Sequence, residues 1–271
     1  MLTRHLMILM LILLPACNLD AIPPSNSPIV STPTPIPVAS VAPTFEIDTD
    51  GWETIADGFE KRTYIPDDKE LAQMLVYRID PTQYRFRAVY RAGDPLSITE
   101  WTQVEPEAFA IINANFYDPQ NNVLGLLVSD GVSYGQSYTD RGGTFFVQNG
   151  ITNLETFRNP TFQIGELEQA VQAFPALVEN GQQAYFNTSA SQLSRRTIIA
   201  QDTDGNILII ITPLLGLSLI DLSAYLPTTD LNLVTAINLD GGGSTMMRIP
   251  STDFTLQSFD PVPAILAVYR R

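Results

Sequence analysis

The chain has 271 residues, 15 basic against 29 acidic side chains and a formal charge of −14. Such an acidic surface repels nucleic acid and anionic headgroups, so any phosphate site must be local. His5 is the only histidine and Cys17 the only cysteine, which excludes an internal disulfide, Ser-His-Asp and Cys-His catalysis, and His-rich zinc sites in the body of the chain. Acid–base chemistry there falls to Asp, Glu, Tyr or water, and anion binding mainly to Arg.

The elements follow in chain order. Arg4 and His5 precede an apolar run, Leu6 to Leu14, that is too short to span a bilayer but suits a signal peptide. Leu14-Pro15-Ala16-Cys17 resembles a bacterial lipobox, which implies cleavage after residue 16 and lipidation of Cys17. The expected location is extracytoplasmic, with the lipid anchor as the only membrane contact. Residues 17–44 form a linker rich in Pro, Ser and Thr, extended and unable to bury a core. Residues 45–271 show no further break in composition and are expected to form one domain.

Within that domain, Leu75 to Asp80 and Tyr84 to Tyr90 read as a hairpin around Pro81-Thr82. Ser97 and Glu100 form a capping box for a short helix. Ala108 to Ile112 is a buried strand leading into Asn113-Ala114-Asn115-Phe116-Tyr117-Asp118. Asp130-Gly131, Asn149-Gly150, Asn180-Gly181 and Asp204-Gly205 mark hairpin turns. Glu166 to Val171 suggests a helical turn, and Ser218 caps a helix reaching about Tyr225. Ile207 to Ile220 is very apolar, but Pro213 and Gly216 interrupt it, which favours a buried strand over a membrane span. Leu233 to Leu239, Thr245 to Ile249 and Pro263 to Tyr269 complete the strands. The pattern predicts an α+β fold: twisted, mixed or largely antiparallel sheets with a few short helices.

Two stretches carry candidate chemistry. Asn238 and Asp240 stand before Gly241-Gly242-Gly243-Ser244. A tight turn would account for the glycines, and so would a surface where a ligand approaches backbone N–H groups. Arg195-Arg196-Thr197 is a scarce basic pair, either a solvated loop or a fork for phosphate or carboxylate.

"IINANFYD", "LGLLVSDG", "QAFPALVENG", "RRTIIAQDTDG" and "INLDGGGS" occur in that order. From about Trp52 to Tyr269 the series resembles the phosphodiester glycosidase family. The resemblance implies hydrolysis of a sugar-1-phosphodiester, of the N-acetylglucosamine type, at the glycosidic C–O bond, with a sugar-phosphate or glycan as substrate. It assigns catalytic roles to Asp240, Arg196 and Asp118, with Asp118 as the second carboxylate. It assigns substrate binding to Asn113, Thr197, Asn238, Gly241, Gly242, Gly243 and Ser244. The expected arrangement has Arg196 and a glycine nest holding phosphate oxygens while Asp240 acts at the anomeric carbon. No cofactor is required, although Asp240 and Asp118 could instead ligate Ca or Mg. Ala114 and Ala200 stand where the family often has Gly, and Thr212-Pro213-Leu214-Leu215 replaces its usual polar turn. The rival expectations are a lipid-anchored carbohydrate-binding protein without turnover and a structural envelope protein. The sequence assigns no oligomeric state.

Overall fold

The computed structural model describes residues 51–66, 69–158, 160–189 and 191–271. The expected signal segment, Cys17 and the linker lie outside them. Strands run in chain order β1 Glu53–Ala56, β2 Phe59–Tyr64, β3 Met74–Ile79, β4 Tyr84–Tyr90, β5 Ala110–Asn113, β6 Leu127–Ser129, β7 Val132–Tyr134, β8 Gly143–Gln148 and β9 Ile151–Thr156. They continue as β10 Gln169–Ala173, β11 Ala176–Glu179, β12 Gln182–Gln183, β13 Arg196–Asp202, β14 Ile207–Thr212, β15 Leu233–Asn238, β16 Met247–Ile249, β17 Phe254–Leu256 and β18 Ala264–Arg270. Two α-helices, α1 Ile98–Val104 and α2 Leu219–Tyr225, accompany them. The α+β expectation therefore holds only coarsely, because strands dominate the described residues.

Three sheets form, with strand orders β1-β2-β3-β14-β13-β15-β11-β12, β7-β6-β10-β8-β9 and β17-β16-β5-β18-β4. Neighbouring strands pair antiparallel, as β13 does with both β14 and β15. Inward side chains of all three sheets meet in one core, including Tyr77, Phe86, Ile112, Phe145, Ile209, Ile237 and Leu266. In β14, Ile207, Ile209 and Ile211 face that core, while Leu208 and Ile210 face a second layer with Leu222 of α2. A strand buried on both faces reads as an unbroken apolar run, which explains the hydropathy of this stretch. No helix among the described residues is long and apolar enough to cross a membrane. On the third sheet, Trp101 of α1 covers Ile265 and Ala267, and Ser97 and Glu100 form the predicted capping box.

The turns follow local chemistry. Asp130-Gly131, Asn149-Gly150 and Asn180-Gly181 take positive φ at both positions, the geometry that suits two-residue hairpins. Two expectations fail. β3 and β4 are not a hairpin: β3 pairs with β2 and β14, whereas β4 pairs with β18 in another sheet. Asp80 shapes this corner by accepting hydrogen bonds from Thr82 N at 2.8 Å and Gln83 Nε2 at 2.9 Å. The stretch from Glu166 to Val171 is not helical beyond a 3-10 turn at Ile164–Glu166, because β10 is needed between β6 and β8. Buried Gln172 fixes β10 there by accepting from Leu126 N and donating to Thr144 Oγ1.

Candidate active site

The site forms where β5 and β15 end and β13 begins. Beyond β15, Leu239 N donates to Thr197 O at 2.9 Å and Asp240 N donates to Ala114 O at 3.1 Å. These bonds tether the glycine loop to two sheets. Asn113 adds a clamp beneath it: Nδ2 donates to Asp240 O at 2.6 Å, and Oδ1 accepts from Thr197 Oγ1 at 2.7 Å and Met246 N at 3.2 Å. Asn113 and Thr197 are 1% and 0% exposed. They were expected to touch substrate; the structure instead makes them a sealed support, since unpaired buried polar groups would be costly.

The glycine nest is corrected in the same way. Gly241 N donates to Asp240 Oδ1 and Gly242 N to Arg195 O, both at 2.8 Å, so two of the amides already have partners within the protein. The glycines serve close packing. A Cβ on Gly241 would stand 2.9 Å from Arg195 O, and one on Gly243 would stand 1.9 Å from an Asp260 carboxylate oxygen. Gly242 has φ +62°. Even so, the surfaces of Gly241 and Gly242 line a cleft of about 360 Å³ together with Asn238, Asp240 and Arg196.

Three groups in that cleft carry chemistry. Burial pushes the Asp240 carboxyl up from 3.8 to about 6, helped by the charge of Asp260 and opposed by hydrogen bonds from Ser244 and Gly241 N. Buried Ser244 thus sits between Asp240 and Tyr117, whose hydroxyl is 3.3 Å from Ser244 Oγ. Arg196 donates through Nη2 to Gln192 O at 2.9 Å, and its Nε is buried without a partner. Burial lowers the pKa of Arg196 from its ordinary value, and no carboxylate faces it among the described ion pairs. A guanidinium nonetheless stays charged at neutral pH. Asn238 donates to Phe174 O at 3.2 Å and leaves its buried Oδ1 unpartnered. Unmatched buried polar atoms are rare in folded proteins, and each needs a reason.

Arg195 differs from its neighbour. It is 7% exposed, donates to Thr245 O and Gln257 O, and packs over the Phe259 ring at 4.7 Å. Adjacent residues of an extended segment face opposite sides, so one arginine ties the loop down while the other meets the cleft.

Asp118 is the principal correction. Its carboxylate accepts from Gln120 N at 2.9 Å, Asn122 N at 2.8 Å and Asn122 Nδ2 at 2.9 Å, and these bonds hold its pKa below the usual value. It closes its own turn and does not line the cleft with Asp240. Of the two carboxylates only Asp240 lines this cleft, and no cluster of three or more acidic, His or Cys residues suited to a metal occurs among the described residues. Sequence reasoning passed over Asp260, the acid that acts on Asp240 by charge, and Phe174 and Tyr185 of the cleft wall. Nothing marks Asp260 in the sequence except a turn-forming Asp-Pro step.

Comparison with known proteins bears on the fold and the family. The chain aligns with the catalytic domain of zebrafish N-acetylglucosamine-1-phosphodiester alpha-N-acetylglucosaminidase, auto-inhibited by its pro-peptide, at TM-score 0.62 and 15% identity, covering 81% of this chain and 86% of that one. A hypothetical protein from Synechocystis aligns at TM-score 0.56 and 16% identity, covering 83% and 64%. At such identities the likeness is one of fold. No curated protein matches the sequence significantly. The family model for phosphodiester glycosidases, however, matches residues 106–269, from just before β5 to near the end of β18, and the chain belongs to that family.

Proposed function

We propose that this protein hydrolyses a sugar-1-phosphodiester, of the N-acetylglucosamine type, at the glycosidic C–O bond. One observation carries the reading: among the described residues, a half-buried arginine without a carboxylate partner shares a cleft with a half-buried aspartate that desolvation shifts to about 6. A cation held in a dry wall without a counter-charge suits an anionic ligand. Arg196 binds the phosphate, and Asn238, which lines the cleft wall, borders the sugar. A phosphodiester is a weakly basic leaving group, so an electrostatic clamp on its oxygens supplies much of what a general acid would.

Asp240, largely ionised at pH 7 with a pKa near 6, acts at the anomeric carbon as nucleophile or as stabiliser of positive charge. Water supplies the new C–O bond, and the electron pair of the broken bond stays on the phosphate oxygen. Ser244 and Tyr117 hold the Asp240 carboxyl in position. The protein acts outside the cytoplasm, anchored through Cys17, a reading supported by the sequence of the first 17 residues.

The test is release of free sugar from N-acetylglucosamine-1-phosphate methyl diester by the purified domain. Asp240→Asn and Arg196→Met must each lower it by about a hundredfold or more; full activity in either variant defeats the assignment. A second reading, sugar-phosphate binding without turnover, draws on the absence of a second carboxylate from the lining of this cleft. Calorimetric binding with no product after long incubation supports that reading instead.

A further inference from the structure

The two ends of the cleft differ in polarity. At one end, Phe174, Pro175 and Tyr185 form a ridge shared with a second cavity of about 360 Å³. That cavity is lined by Phe157 and by the ion pairs Arg141–Asp140 and Arg158–Glu179, so its charges are balanced and it offers donors and acceptors.

The other end is uncharged and carries several exposed apolar side chains. Neither residues 186–194 nor residues 212–220 contain a charged side chain. Phe186, Leu193, Leu214 and Leu215 are 67%, 53%, 44% and 64% exposed, and Leu71 is 65% exposed. Single exposed leucines are ordinary; a group of them beside a ligand cleft marks a binding surface. Backbone contacts bring these stretches together around Arg196. Arg196 Nη2 donates to Gln192 O, Arg196 N donates to Thr212 Oγ1 at 2.6 Å, and Gly216 N donates to Leu71 O at 3.0 Å. Gly216 lies so near Ser194 that a Cβ there would stand 2.8 Å from Ser194 O. Ser194 and Leu219 in turn line the cleft beside Arg196.

From this polarity we infer that the phosphodiester substrate carries an aliphatic alcohol as its aglycone, lying across Leu193, Leu214 and Leu215 while Arg196 holds the phosphate. The inference rests on the proposed function and adds the substrate class to it. Hydrolysis then places the incoming water oxygen on the anomeric carbon, breaks the glycosidic C–O bond and releases an alkyl phosphate that keeps the electron pair of that bond, while the water proton passes to the departing phosphate or to solvent. A phosphate fixed at Arg196 has its sugar on the polar side and its ester chain on the leucine side, so each half meets matching surface.

The experiment compares N-acetylglucosamine-1-phosphodiesters of methanol, hexanol and a methyl hexoside, all monomeric in solution. A kcat/KM at least about tenfold higher for hexyl than for methyl is expected, and the ratio should fall towards one in a Leu214→Gln/Leu215→Gln double variant. Calorimetry with hexyl phosphate against methyl phosphate reads the same surface without turnover, and the same preference and the same loss are expected. Equal values for hexyl and methyl in both measurements overturn the inference, as does preference for the hexoside. So does a double variant that loses binding to phosphatidylcholine vesicles while keeping its hexyl preference, since a bilayer would then cover the leucines. Failure to cleave any diester, with the hexyl phosphate preference intact, defeats the proposed hydrolysis but upholds the aliphatic site.

Discussion

Asp118 and Asp240 both follow a buried strand, both sit in a turn, and both have an Asn close by in the sequence. Three N–H groups reach the Asp118 carboxylate and hold its pKa down. Asp240 receives one backbone N–H and the Ser244 hydroxyl, is half-buried with its carboxyl largely desolvated, and is driven up to about 6. Local amides spend the charge of Asp118 on shaping a loop, whereas burial leaves that of Asp240 under-solvated and available to a reacting centre. The contrast predicts the largest effect. Asp240→Asn should lower kcat by about 10³-fold or more, while Asp118→Asn should change it less than about threefold.

Their effects on stability should run in the opposite direction. With its folded pKa raised above 3.8, Asp240 makes the folded state bind more protons, so its contribution to stability falls as pH rises from about 4 through 6. Replacing it with Asn removes that burden and should stabilise the protein at pH 7 by about 1–3 kcal/mol. Asp118→Asn should lower the melting temperature, because Asn cannot accept as the carboxylate does at both oxygens. Thermal melts at pH 7 check both signs. Equal destabilisation by the two variants would break the comparison.

The two arginines repeat the lesson at the next level of effect. Arg196→Met should cost about 10²-fold in kcat/KM with little loss of stability, since its guanidinium makes one hydrogen bond, to Gln192 O, where that of Arg195 makes two. Arg195→Met should destabilise by about 2–3 kcal/mol, as it removes two charge-assisted bonds to backbone carbonyls. Chemical denaturation beside kinetics separates the pair.

What the sequence reveals follows from how local the cause is. Asn149-Gly150 and Asn180-Gly181 announce their hairpins because left-handed backbone at a two-residue turn depends on those residues alone. The Ser97 and Glu100 capping box is legible for the same reason. The corner at Pro81-Thr82 is not, because the partner of β4 is β18 near the other end of the chain. Residues 238–244 stand out in the sequence, but their partnered amides could not be read there: Gly242 N is taken by Arg195 O, a group more than forty residues away. Nor does anything local separate Asp118 from Asp240 or Arg195 from Arg196, since burial and strand face decide their roles.

The smallest predicted effect concerns how Asp240 is tuned. With burial as the main cause of its shift, kcat/KM should fall below about pH 6 with a slope of one, as the protonated acid can neither attack nor stabilise positive charge. Asp260 adds to the shift by charge, and its backbone is held near by Phe259 N and Asp260 N, which both donate to Gly243 O. Asp260→Asn removes that charge with little change of shape. Asp240 should then ionise more readily, so the acid limb should move to lower pH by a few tenths of a unit, with the plateau rate changed less than about twofold. A limb that stays in place would leave burial alone as the cause, and one that moves upward would mean that Asp260 supports Asp240 through hydrogen bonding rather than opposing it through charge. Measured beside Asp118→Asn, for which no movement is expected, this profile shows which second carboxylate the glycine loop answers to.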